Sequence, residues 1–401
     1  MANEPTLERT LPMDQSLARA PRLESIDLLR GLVMVVMVLD HVRDFFGEIN
    51  RNPTDLSQTS FALFFTRWVT HFCAPVFVFL AGTGAFLTGV RGRSKGELAK
   101  FLLIRGIWLI FLEITIVRFG LTFDPTFQFI PLIVFWAIGA SMILLAPMVF
   151  LPTWLVGAFG LILIFGHNAF DGVSFEPGTT AAVVWGILHR PGLVGTVAGR
   201  SIFALYSLVP WVGVLAAGYA IGPVFRLDSR LRRMILMSLG FSAIVLFILL
   251  RWSNLYGDPQ PWSIQDRSGF TMLSFINCQK YPPSLLYLSM TLGPALVFLG
   301  VFDRGAGRLG RPLVTLGRVP LFFYLLQWYL IHLLAIAVIA LNGGSVGWMI
   351  GGGPFNAPKE YGYSLKVVYL MWGVSLALLY PASAWFAKIK RRGKYWWLSY
   401  F

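Results

Sequence analysis

Residues 25–46, SIDLLRGLVMVVMVLDHVRDFF, set Arg30 and His41 on either side of ten residues that are all apolar or glycine except the last, Asp40. Such a run reads as a bilayer-crossing helix with ionisable groups inside it. Eleven steps of about 100° return a side chain to within roughly 20° of its start, so Arg30 and His41 share one face. At ~1.5 Å per residue they stand roughly 16 Å apart along the axis, about half the hydrocarbon thickness. Asp27, Met34, Met37 and Asp44 fall on or near the same stripe. A charged side chain in hydrocarbon costs at least ~3 kcal/mol, so this stripe faces protein or water rather than lipid. One reading is a polar packing stripe with snorkelling ends. The presence of both signs of charge beside a titratable imidazole points instead to a functional site.

Composition extends this to the whole chain. Hydrophobic residues are 56% of 401 and charged residues only 13%, about half the share usual in soluble domains. Apolar runs of spanning length lie at 28–46, 69–88, 101–117, 131–150, 153–171, 204–224, 234–250, 284–302, 319–341 and 365–386. The expected fold is therefore all-α, a polytopic membrane protein of about ten transmembrane helices. Residues 1–20 are polar and read as a disordered tail, with no cleavable signal peptide; 21–390 read as one transmembrane domain, and 391–401 as a basic, aromatic tail. Cys73 and Cys278 fall in distant segments and suggest neither a disulfide nor a metal site.

The net charge of +14 is unevenly spread. Counting alternate connections, the N-terminal tail, 88–100, 225–233, 303–318 and the C-terminal tail hold twenty Lys and Arg, and the opposite loops nine. The positive-inside rule then makes both termini cytoplasmic in an inner cell membrane. The basic excess is topological and meets anionic lipid, which argues against nucleic acid as a partner. The long opposite connections, 172–203, 251–283 and 342–364, are rich in Gly, Pro and aromatic residues and are suited to capping a cavity.

That topology gives depths. His41, His71, Glu113 and His332 fall in the outer half, with Tyr324 and Gln327 deeper and Asn277, Lys280 and Tyr281 just before the eighth span. Arg30 and Arg105 fall near the cytoplasmic ends. His167 and His189 are expected in solvent. Asp40 points about 100° from His41, whereas Asp44, three residues on, is placed to orient it. Each polar residue also has a packing role open to it: His332 as a satisfied core histidine, Glu113 as a partner of Arg118 or Arg67, Arg105 as an interfacial anchor. No His or Cys spacing matches a metal motif, so no metal is expected.

The stretch Ser25–Phe46 resembles the first helix of the transmembrane acyltransferase superfamily, and Arg30 and His41 match the arginine, ten-residue gap and histidine of its acyltransferase-3 branch. HFCAPVFVFLAGTGAFL (71–87) with RGRSK (91–95), KYPPSLLYLSMTLGP (280–294) and GRVPLFFYLLQWYLIH (317–332) resemble bacterial membrane proteins related to heparan-α-glucosaminide N-acetyltransferase. There are two departures. The loop 47–66 has no histidine where the heparan enzyme has its catalytic one, which leaves His41 or His71 for that role. Gln327 stands where the bacterial group has a histidine.

The resemblance implies acyl transfer from cytoplasmic acyl-CoA, as acetyl-CoA, to an extracytoplasmic acceptor such as a glycan amine or hydroxyl. Imidazole suits the base or nucleophile, with His71 and Glu113 assisting. Arg30, Arg105 and the 91–95 loop suit the phosphates of CoA. The pantetheine arm would follow Met34 and Met37 toward His41. Asn277, Lys280 or Tyr324 would supply an oxyanion donor. A proton-coupled transporter and a non-catalytic assembly protein, with its polar groups only joining helices, remain open at this point. Reporters fused to the C-terminus and within 251–283 are expected on opposite sides of the membrane; signals from one side would overturn the topology.

Overall fold

The computed structural model describes residues 23–48 and 50–392. The tail expected at 1–20 and most of that expected at 391–401 lie outside the described residues. Helix α1 is Glu24–Phe46. Helix α2 runs Phe61–Gly89, tightened to a single 3₁₀ turn at Val69–Phe72. Helix α3 begins at Lys95–Leu112, passes through a π-turn at Glu113–Val117, and ends in Arg118–Thr122. Ser94 and Glu97 start it with a reciprocal capping box. Then come α4 (Val134–Met148), α5 (Thr153–Phe170), α6 (Thr180–Leu188), α7 (Leu208–Arg226), α8 (Ser229–Ser253) and α9 (Phe270–Ile276). Last come α10 (Leu285–Arg304), α11 (Gly307–Gly317), α12 (Pro320–Leu341) and α13 (Leu365–Arg392).

Each of the ten apolar runs is a helix, and the chain is an all-α polytopic membrane protein. Among the described residues, seven helices are long and apolar enough to cross a membrane: α2, α5, α7, α8, α10, α12 and α13. Helices α1 and α3 have the length but carry charges, and α4 is shorter. Three differences from the sequence reading stand out. Helix α2 begins eight residues before the expected span, because Ser60 caps a turn of FALFFTRW. Three short helices, α6, α9 and α11, form inside expected loops. Strands β1 (Phe129–Leu132), β2 (Gly192–Val197) and β3 (Arg200–Ala204) join in a small sheet ordered β1-β3-β2.

Helix pairs meet through glycine. A Cβ on Gly106 of α3 would lie 2.5 Å from the Gly139 carbonyl of α4, and one on Gly139 would lie 2.6 Å from the Gly106 carbonyl. The Gly160–Gly213 pair joins α5 to α7 in the same reciprocal way. Without a hydrophobic force between helices in lipid, this close approach of backbones supplies the packing. Helix α1 sits at the centre, packed by α2, α10, α11, α12 and α13. Exposed Ile107, Trp154, Ile162 and Leu249 belong to the outer helices.

A leucine at position 139 is expected to force α3 and α4 apart and lower the thermal midpoint, since overpacking costs about 1–3 kcal/mol. Gly373→Leu, at a site with nothing within 4 Å of the added Cβ, is expected to leave it unchanged.

Candidate active site

His41 is reached from α1 and held by α12. Its ring stacks on Trp328 with centroids 3.9 Å apart, and Tyr324 meets it edge-on at 6.2 Å. The Gln327 amide lies beside it. Its Nδ1 is buried with no hydrogen-bond partner, as are both amide atoms of Gln327. Asp44 does not orient the imidazole: it turns to Arg43, 2.6 Å away.

Asp40, set aside on the sequence because it points away from His41, anchors a charge cluster. Its carboxylate accepts from Arg67 at 2.6 and 2.8 Å and from Arg43 at 2.9 Å, with Lys280 Nζ at 3.9 Å. Tyr281 stands next to it. Burial pushes the Tyr281 phenol up, but Lys280 and Arg67 outweigh this and hold it below the ordinary tyrosine value. The spacing of Asp40 and Arg43, three apart on one helix, is the sequence signal for half of this cluster. Arg67 comes from α2 and has no local signal.

Asp40, His41, Lys280, Tyr281, Tyr324 and Trp328 line a cavity of about 1230 Å³. Phe129 and Phe203 of the small sheet form part of its wall, so the sheet caps the site. A second cavity, of about 280 Å³, opens toward the basic end and includes Arg30 and Arg105. Both cavities are lined by Phe77, Val134 and Tyr324, which form a neck between them. Phe135 packs on Tyr324 there, ring centroids 4.3 Å apart.

Other expected site residues make contacts that support the fold. Glu113 pairs with neither Arg118 nor Arg67, which go to Asp124 and Asp40. Its Oε2 accepts from the backbone N–H of Phe135 at 2.5 Å and of Trp136 at 3.1 Å, capping α4 from the π-turn of α3. A carboxylate at a helix N-terminus satisfies orphan donors and meets the positive end of the helix dipole. His332 donates from Nδ1 to the Gly120 carbonyl at 3.0 Å and stacks on Phe123. Asn277 donates to the Thr54 carbonyl at 3.0 Å. His71 is buried against Tyr287, whose hydroxyl donates to its carbonyl oxygen. Met34 is fully buried, whereas Met37 lines the larger cavity.

His167 and His189 are buried rather than solvated. His167 ends α5 with its two ring nitrogens against the Leu163 and Pro283 carbonyls, and His189 donates to Asp171 at 2.9 Å. His167 thereby pins the segment that carries Lys280 and Tyr281.

Residues 22–255 match the profile of the heparan-alpha-glucosaminide N-acetyltransferase catalytic domain. The chain belongs to that family. A search of curated proteins finds no match. Membership places it among membrane acetyltransferases. The part matching the N-acetyltransferase domain runs to the end of α8 and holds Arg30, His41 and Arg105; Tyr324 and Trp328 lie beyond it. Removing the α4 cap by Glu113→Ala is expected to cost about 1–3 kcal/mol, read as a lower thermal midpoint in detergent. An unchanged midpoint would deny Glu113 this role.

Proposed function

We propose that this protein transfers an acetyl group from acetyl-CoA, approaching from the basic and hence cytoplasmic end, to an acceptor amine or hydroxyl in the larger, extracytoplasmic cavity. The observation that carries the reading is the pair of cavities meeting at Phe77, Val134 and Tyr324, with Arg30 and Arg105 on one side and His41 on the other. The rise from Arg30 to His41, about 16 Å, suits a pantetheine arm threaded through that neck. A glycan is the acceptor class favoured by the size of the large cavity and its aromatic walls.

His41 acts as general base. Trp328 fixes its ring plane, and the imidazole lines the larger cavity, where it would take the acceptor's proton. The acceptor attacks the thioester carbonyl, the new C–N or C–O bond forms, and the C–S bond breaks. The CoA thiolate leaves and takes up a proton. Of the three donors considered for the developing oxyanion, Tyr324 is favoured: it lines the neck, whereas Asn277 is turned to Thr54 and Lys280 to Asp40.

Purified protein given labelled acetyl-CoA and amino-sugar acceptors is expected to release labelled product. His41→Ala should lower turnover by at least ~10², and Tyr324→Phe by about 10², with both variants still folded. Wild-type turnover in His41→Ala would remove His41 from the chemistry. A wild-type protein that binds no acetyl-CoA at millimolar concentration would leave transport as the better account.

A further inference from the structure

Among the described residues, three carboxylates line the larger cavity, and each is already held by an arginine. Asp40 is taken by Arg67 and Arg43, Asp44 by Arg43, and Glu48 by Arg51 at 3.3 Å. Lys280 is the cation left over. Its Nζ lines the same cavity but stands 3.9 Å from Asp40 Oδ2, beyond hydrogen-bond reach, and Arg67 already occupies that oxygen at 2.6 Å. Nor is the lysine's backbone loose. Asp258 Oδ2 accepts from the Gln279 N–H at 2.9 Å and from the Ser284 hydroxyl at 2.6 Å, fixing the chain on both sides of Lys280. On the side chain itself, Nζ lies 5.2 Å from the centre of the Tyr281 ring. His41, which lines the cavity with it, is the one histidine on that wall.

We infer that the acceptor is a sugar hydroxyl rather than an amine, and that Lys280 is the specificity-determining residue which turns ammonium-bearing acceptors away. This rests on the acetyltransferase reading proposed above and narrows its acceptor. A sugar amine is largely an ammonium near neutral pH. To dock beside His41 it would have to approach Lys280 with no unengaged carboxylate on the wall to receive it, and like charges in a partly desolvated site repel strongly. A hydroxyl meets no such barrier.

Proton accounting points the same way. An ammonium must lose one proton before it has a lone pair and a second as the amide forms, which leaves one proton without a destination at a single imidazole. A hydroxyl loses one. It passes from the acceptor oxygen to His41 as the C–O bond forms, and from His41 to the departing CoA thiolate as the C–S bond breaks. The products are the acetyl ester and CoA thiol, with no proton left over.

The test offers the full chain in detergent labelled acetyl-CoA with either methyl glucoside or methyl glucosaminide, which differ only in a hydroxyl against an amine. Wild-type protein is expected to favour the glucoside about tenfold or more and to form a product that hydroxylamine cleaves, as it cleaves esters and spares amides. Lys280→Gln should narrow the preference about tenfold, and Lys280→Arg should keep it. Because the readout is a ratio of two acceptors on one protein, partial loss of folded variant does not mimic the effect. Wild-type protein that makes mainly the hydroxylamine-resistant amide overturns the hydroxyl acceptor while leaving acetyl transfer standing. A ratio unchanged in Lys280→Gln removes Lys280 as the determinant. If neither sugar is acetylated, the acetyltransferase reading fails, and calorimetry with the two sugars tests the charge exclusion alone. Glucoside bound more tightly by wild type, with the difference lost in Lys280→Gln, would support it; equal or tighter binding of the glucosaminide, or binding of neither, would overturn it.

Discussion

A helix carrying Asp27, Arg30, Asp40, His41, Arg43 and Asp44 crosses a bilayer only if its charged positions never meet lipid. Helix α1 meets that condition by standing inside the bundle, and much else follows. Arg67 of α2 comes to Asp40, and the 317–318 turn comes to Arg30. Trp328 and Tyr324 of α12 close over His41. The neighbours that shield α1 are therefore the same elements that supply the site, so stability and chemistry are set by one packing arrangement.

The two cavities differ in ways that the single helix explains. Near its start α1 offers Arg30, which with Arg105, Arg318 and Lys390 lines the smaller cavity, so that end is rich in cations. Near its finish it offers Asp40 and Asp44, which Arg43, Arg67 and Lys280 counter, so that end is mixed in charge. Between them lie Phe77, Val134 and Tyr324, which line both cavities.

What was legible in the sequence was what a helix encodes locally. Ten apolar runs became ten helices, because length and hydropathy need no tertiary information. The pairing of Arg30 with His41 along one face was likewise readable from helical spacing. Glu113 was not: its partners are backbone N–H groups of Phe135 and Trp136, and backbone donors leave no trace in side-chain patterning. His167 and His189 were misplaced for a related reason, since the Pro283 carbonyl and the Asp171 carboxylate that meet them lie outside their own helices. Strands β1 and β3 pair in parallel across seventy-odd residues, and such short runs carry no periodic signal of their own. Arg318 and Lys390 looked like ordinary positive-inside residues; only the fold shows that they face a cavity.

The neck has an electrical meaning. Where two water-accessible cavities approach each other, most of the membrane potential falls across the thin partition between them rather than across the full bilayer. Moving one elementary charge through 100 mV is worth about 2.3 kcal/mol. Under the proposed donor reading, phosphates on the Arg30 side of Phe77 and Tyr324 would leave only the uncharged thioester end of the donor to enter that field. Passage of the acetyl group would then be independent of voltage, and the aromatic partition would keep ions from following it.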